Sequence, residues 1–328
     1  MLALAAGDVL QAAQSPVIID TDCGRDDLMA IAFLLARRDV RIEAVTVANG
    51  LAHVQAGAAN ILRLLALGGR GDVPVYIGRE TPLRGNAAFP DPWRKNSDAL
   101  IPGPPAHHQP QARPAADYLA NRLRDRGLPV RILALGPLTN FAEALARDPG
   151  LLRGVEMVIM GGAIRVPGNL GEGGVFKTDN RTAEWNLFVD PLAAQQVFAS
   201  GARIHLVPLD ATDQVPLDSA FLRELQSRPR TPLGDFVAGM LQRECSFQDG
   251  ATCYAWDALA AAALVDPSVV PWTPLAIEVR QTPPEEGRTA EAAGQKPNAH
   301  VALGGDAAAF RKVYLAAFTP AGSAAAAP

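Results

Sequence analysis

From residue 17 to about residue 210, short apolar runs alternate with helical apolar spacings. Residues 17–19, 42–47, 73–77, 130–135, 155–160 and 204–209 are nearly continuous runs rich in Val, Ile and Leu, the pattern of strands buried on both faces. Between them, Leu28, Ile31, Ala32 and Leu35 recur at helical spacing, and residues 56–67, 115–124, 138–146 and 191–199 predict further amphipathic helices. Such alternation predicts an α/β fold: a mainly parallel central sheet flanked by helices, open and Rossmann-like. No linker and no internal repeat interrupts it. One domain is therefore expected over residues 16–318, with an N-terminal extension over 1–15 and a flexible, low-complexity tail over 319–328.

Two stretches break the rhythm and read as loops. Residues 81–114 are rich in Pro, Gly and Asn and carry Trp93, His107 and His108. Residues 166–183 hold Gly168, Gly171, Gly173 and Gly174. Loops this long in a compact domain are commonly functional.

Polar residues repeatedly follow the predicted strands: Asp20 and Asp22, Asn49, residues 136–140, Gly161 and Gly162, and Asp210 and Asp213. In open α/β sheets ligands bind outside the carboxyl ends of the strands, so these loops predict one cleft. The densest group is Asp20, Asp22, Asp26 and Asp27, placed where the first strand ends and a helix begins. Carboxylates this close repel one another, and either water or a cation must offset that repulsion. Downstream, Asp257 precedes an apolar helical stretch and reads equally as a helix N-cap. Glu184-Trp185-Asn186 is a polar triplet beside an aromatic ring, or a surface turn; Trp93 is a ligand platform or a packed loop anchor. His53, His107, His108, His205 and His300 show no metal-ligand spacing. Oxygen donors without a Cys or His cluster favour a hard cation, Ca²⁺ or Mg²⁺. Calcium suits Asp22, Asp27 and Asp257 with a main-chain oxygen, because it accepts six to eight oxygens.

Composition changes this picture little. With 48% hydrophobic and 20% charged residues, the 328-residue chain has the material for a large core. A net charge of −4 gives no electrostatic basis for binding nucleic acid. No apolar run is long enough to span a membrane, and residues 1–15 lack the basic start of a signal peptide, so a cytoplasmic location is expected. Cys23, Cys245 and Cys253 form no Cys-x-x-Cys pattern and are expected as free thiols, although Cys245 and Cys253 could pair under oxidising conditions.

Asp20-Thr21-Asp22-Cys23-Gly24-Arg25-Asp26-Asp27 resembles the N-terminal signature of the calcium-dependent nucleoside hydrolases, which cleave ribonucleosides to ribose and free base. Residues 134–140 (Ala-Leu-Gly-Pro-Leu-Thr-Asn), 158–163, Glu184-Trp185-Asn186 and Trp256-Asp257 are similar to the family's later motifs, in the expected order. Many members carry His just before the last metal-binding Asp; here Trp256 stands there, which resembles the purine-specific, inosine–adenosine–guanosine-preferring branch. The resemblance implies the nucleoside hydrolase fold, Ca²⁺ as cofactor, a homodimer and a role in purine salvage. It implies that Asp22, Asp27, Asp257 and the main-chain carbonyl of Leu135 hold the ion, and that Asp22 is the general base. It further implies that Asp26 and Asn186 hold the ribose 2′- and 3′-hydroxyls. Asn169 and Glu184 then reach the 3′ and 5′ side, Met160 lines the ribose pocket, Trp93 and Trp256 sandwich the purine, and Trp185 adds to the substrate site.

Some positions depart from the family pattern. Leu51 occupies a place that usually carries Asn or Asp, Cys23 stands where Pro or Gly is common, and Arg25 enters the same loop. Position 253 often carries an aromatic residue near the base, and here it is Cys253. Two other readings compete. Asp20 and Asp22 imitate the Asp-x-Asp of haloacid dehalogenase-type phosphatases, but the matching downstream motifs are missing. A non-catalytic nucleoside or ribose binder would explain Leu51, while the retained Asp22, Asp26, Asp27 and Asp257 argue against it.

Overall fold

The computed structural model describes residues 15–319 apart from residues 105, 172–173 and 246–252. The expected N-terminal extension and C-terminal tail therefore fall outside the described residues, except for Ser15 and Thr319, and so does Gly173.

The strands are β1 (Val17–Thr21), β2 (Ile42–Val47), β3 (Val75–Ile77), β4 (Arg131–Ala134), β5 (Glu156–Met160) and β6 (Arg203–Val207), followed by β7 (Pro216–Leu217), β8 (Cys253–Tyr254), β9 (Trp272–Leu275), β10 (Ile277–Val279), β11 (Thr289–Glu291) and β12 (Ala299–Ala302). The first six lie within two residues of the apolar runs that predict them. They align in the order β3-β2-β1-β4-β5-β6, with every pairing parallel. Parallel β12 and antiparallel β9 extend the sheet to eight strands beyond β6. The strand order turns back at β1, so β1 and β4 diverge into their helices on either side of a crevice. That switch point is where an open α/β sheet binds its ligand.

The first helices are α1 (Arg25–Ala36), α2 (Val54–Leu67), α3 (Asp91–Asp98), α4 (Ala115–Arg124) and α5 (Thr139–Arg147). They are followed by α6 (Trp185–Val189), α7 (Pro191–Phe198), α8 (Leu209–Thr212), α9 (Ser219–Gln226), α10 (Pro232–Glu244), α11 (Trp256–Val265) and α12 (Ala307–Ala316). The strand pleat divides the core. Val17 and Ile19 face a cluster with Leu28, Ile61, Met240, Leu259 and Tyr314, whereas Ile18 and Ile132 face Leu119, Phe141 and Val197 on the other side. Helix α11 is alanine-rich and buried all round from Ala258 to Leu264, packed against α1 and β5. Its small side chains allow close approach to both neighbours, and a helix apolar on every side belongs in the interior.

Three expectations need correction. Asp257 does not cap α11, because Ala255 takes that position and Asp257 lies buried in the first turn. The stretch 81–114 is not all loop, since Asp91 and Pro92 start α3 within it; Pro is favoured there because the missing N–H has no helical partner. Finally, Cys245 and Cys253 are not free. Pairing of β7 with β8 carries Cys253 to the end of α10, where it forms a disulfide with Cys245 at a Cα–Cα distance of 5.8 Å; Cys23 is a buried free thiol. Disulfides persist in oxidising surroundings, so this bond weakens the argument for a cytoplasmic location. No helix among the described residues is long and apolar enough to cross a membrane.

In denaturant without reductant, titration with a thiol reagent is expected to count one cysteine per chain, Cys23. After reduction the count should reach three; a count of three beforehand refutes the disulfide.

Candidate active site

Strand β1 delivers its acids through a sharp turn. Cys23 adopts φ +63°, a left-handed conformation that a residue with a side chain rarely takes, and the chain reverses there into α1. Asp27 in the first turn of α1 closes this loop. Its carboxylate accepts hydrogen bonds from the Thr21 hydroxyl, from the Asp22 amide at 3.2 Å and from the Gly24 amide at 2.9 Å. Asp22 is held from outside the loop: the Leu51 amide donates to its Oδ2 at 2.9 Å. Two glycines permit this close packing. A Cβ on Gly50 would overlap the Asp22 carboxylate, and one on Gly136 would sit 2.8 Å from the Asp22 Cβ.

Asp20 lies one layer deeper. Its Oδ1 accepts from the Thr46 hydroxyl and, at 2.7 Å, from the Asn140 amide, while its Oδ2 has no partner among the described residues. It braces β1 against its neighbours and does not line the cavity. Asn49 does not line it either, and Asp210 instead clamps the amides of Ile164 and Arg165.

The twelve residues to which the resemblance gives a role surround one cavity of about 450 Å³: Asp22, Asp26, Asp27, Trp93, Leu135, Met160, Asn169, Glu184, Trp185, Asn186, Trp256 and Asp257. Three helix N-termini meet there. Helix α1 brings Asp26 and Asp27, α11 brings Trp256 and Asp257, and α6 is capped by Glu184, which accepts from the amides of Asn186, Leu187 and Gly162. The positive ends of these helices favour negative charge. Asn186 donates from Nδ2 to the carbonyls of Leu135 at 2.8 Å and Met160 at 3.2 Å, tying β4 to β5 at the cavity floor. Asn169 Oδ1 accepts from the Trp185 amide.

One wall is aromatic. Phe89 stacks on Trp185 with ring centroids 4.6 Å apart, Trp93 meets Trp185 edge-on at 5.6 Å, and Phe176 and Phe188 pack behind. This third hydrophobic cluster joins the two long loops independently of the sheet. The sequence reading missed Asn96, Ser97 and Leu100 as lining residues, because it took α3 for loop. It also missed the part played by Leu51, whose anchoring group is a main-chain amide that no side-chain pattern reveals.

The electrostatics are those of a cation site. Oxygens of Asp26, Asp27 and Asp257 lie within 4.8 Å of one another, and Asp22 adjoins them through its amide on Asp27. Burial, then the charge of Asp27, pushes the Asp22 and Asp257 carboxyls well above the ordinary carboxylate range. Burial likewise raises Asp26 to about 6 and Glu184 to about 7. Asp257 Oδ1 is buried and has no hydrogen-bond donor among the described residues. A buried acceptor without a donor, in a group of anions, fits a hard cation.

A family model described as inosine-uridine preferring nucleoside hydrolase matches residues 17–312. The pyrimidine-specific ribonucleoside hydrolase RihA of Salmonella enteritidis is 32% identical over 259 residues, covering 78% of each chain. Among solved structures, a plant nucleoside hydrolase superposes with a TM-score of 0.83 at 29% identity, covering 93% of this chain and 99% of that one. A purine-preferring ribonucleoside hydrolase from Gardnerella vaginalis superposes with a TM-score of 0.79 at 25% identity, covering 93% and 98%.

A carboxyl whose pKa is raised on folding keeps a proton that the unfolded chain has released. Its stabilising contribution is therefore complete below the ordinary value of 3.8 for Asp, or 4.5 for Glu, and is lost as the pH rises through the raised value, about 6 for Asp26 and about 7 for Asp20 and Glu184. The chelator-treated protein is expected to melt at a lower temperature at pH 7.5 than at pH 5, and a divalent cation should narrow that gap. Melting temperatures that are level or rise with pH in the chelated protein would show the acids to be compensated in another way.

Proposed function

The chain belongs to the inosine-uridine preferring nucleoside hydrolase family, whose members hydrolyse N-glycosyl bonds, and on that premise we propose that it is a calcium-assisted purine ribonucleoside hydrolase. The observation that carries this reading is the union, in one cavity, of the acids Asp22, Asp26, Asp27 and Asp257 with the indole rings of Trp93, Trp185 and Trp256. Asp22, Asp27, Asp257 and the Leu135 carbonyl would hold the ion. When bound, calcium orients a vicinal diol and polarises water.

The residues divide the remaining work. Asp22, fixed by the Leu51 amide, takes the proton of the attacking water as general base. Asp26 accepts from a ribose hydroxyl. Asn186 has committed its Nδ2 to two carbonyls, which leaves Oδ1 to accept from a second hydroxyl. Asn169 and Glu184 bound the 3′ and 5′ side, and Met160 lies along the sugar. As the C1′–N bond breaks, positive charge grows on the ribosyl ring, and the surrounding carboxylates stabilise it without having to reorganise. Trp93 and Trp256 hold the purine between them, with Trp185 behind Trp93. No His lines the cavity among the described residues, so the base departs without a histidine acid.

Relatives named for pyrimidine and for purine substrates both match this chain, and the broad aromatic wall supports the larger base. Residues 16–318 form the catalytic unit in this reading, and the protein is a homodimer like those common in the branch it resembles.

A reducing-sugar assay over inosine, guanosine, adenosine and uridine, without phosphate, is expected to favour the purines. Chelation should abolish turnover and calcium should restore it; a protein that cleaves uridine alone overturns the purine reading. Asp22→Ala should lower kcat by about 10²–10⁴-fold with the melting transition retained. Trp256→Ala should depress purine turnover more than any residual uridine turnover, and an equal loss on both would remove its stacking role.

A further inference from the structure

Arg25 is the one cationic side chain among the described residues that line the cavity. Its position does not serve the helix, because it opens α1, where the positive helix end disfavours a cation. Its guanidinium makes no ion pair with the neighbouring acids among the described residues, although its charge acts on Asp26 and lowers that carboxyl against the effect of burial. Its recorded contact is with Trp256, whose ring centroid lies 5.9 Å from the guanidinium carbon. The charge therefore stands between the carboxylates assigned to the sugar and the Trp256 ring assigned to the base.

We propose that Arg25 binds the departing base, donating to O6 and N7 of a 6-oxopurine, and that it thereby makes inosine and guanosine better substrates than adenosine. The proposal rests on the purine reading above. The guanidinium is a planar fork of donors, and the O6/N7 edge of a 6-oxopurine is the matching pair of acceptors. Adenine presents an amino donor in place of O6, so donor would face donor. The reaction balances simply. The C1′–N9 electron pair leaves with the base and spreads onto N7 and O6, where Arg25 stabilises it. Water adds to C1′ and gives its proton to Asp22, and the base takes a proton from solvent. A fixed positive charge beside the purine also opposes protonation of N7 before cleavage, so it favours departure as the anion.

The test compares wild type, Arg25→Leu and Arg25→Lys on inosine, guanosine, adenosine, uridine and p-nitrophenyl β-D-ribofuranoside, whose nitrophenolate leaves with little assistance. Wild type should prefer the 6-oxopurines. Arg25→Leu should lower kcat/KM for inosine and guanosine on the order of 10–100-fold, the scale of a bidentate base contact, and lower adenosine and the aryl riboside far less. Arg25→Lys, which keeps charge but loses the fork, should fall between. Equal losses on every substrate would mean that Arg25 only balances the acidic cluster, and would overturn the proposal. Undiminished preference for inosine in Arg25→Leu would overturn it as well, while leaving the purine reading intact. Turnover of uridine alone by the wild type removes the purine reading itself, and this proposal with it. Melting curves of both variants separate these outcomes from a failure to fold.

Discussion

The repulsion among buried carboxylates at the carboxyl end of β1 is the constraint around which the rest of the molecule is arranged. Asp22, Asp27 and Asp257 line one small volume away from bulk water, with the half-buried Asp26 beside them. Their tolerance in the folded state depends on donors from the same loop and from one distant segment. Asp27 draws on Thr21 and Gly24, Asp22 draws on Leu51, and the first turns of α1 and α11 supply partial positive charge. The Ala-rich body of α11 follows from the same requirement. Only a helix with small side chains can run between α1 and the sheet and still bring its N-terminus to the acids.

In the proposed reading, binding the sugar and binding the base fall largely to different parts of the structure. The acids, Asn186 and the Leu135 carbonyl sit on strands and helix ends that belong to the main cores. The aromatic wall belongs to a third cluster, in which Phe89, Trp93, Phe176, Trp185 and Phe188 pack the long loops against one another. Substitutions in those loops would remodel the Trp93 side of the proposed base pocket, whereas Trp256 on the other side packs on the main core beside Asp257. Such a division accords with the family resemblance, in which proteins of similar fold carry names that specify different bases.

Legibility in the sequence tracked element length and periodicity. Strands β1 to β6 were readable because each is a parallel strand lying in a nearly continuous apolar run. Strands β7 to β12 are two to four residues long and, unlike the equally short β3 and β4, lie in no extended apolar run; β9 even contains Pro274. Helix α3 was hidden by its own composition, since Pro92, Asn96 and Ser97 signal loop more strongly than helix. The candidate site was legible through its side chains, because acidic clusters and aromatic residues stand out in a string of letters. What could not be read was everything made by main chain or by long-range proximity: the Leu51 amide on Asp22, the overlap that requires Gly50, and the meeting of Cys245 with Cys253.

The Leu51 contact has a wider bearing. An anchor formed by a peptide N–H is supplied by any residue except proline, so its chemical identity is released from the function it serves. A catalogue of required side chains would score this position as a lost polar group and class the chain with inactive remnants of its family. The hydrogen bond to Asp22 is nevertheless intact, held by the path of the backbone between β2 and α2. Decay of an enzyme is therefore better diagnosed here from the course of the chain than from the spelling of its motifs.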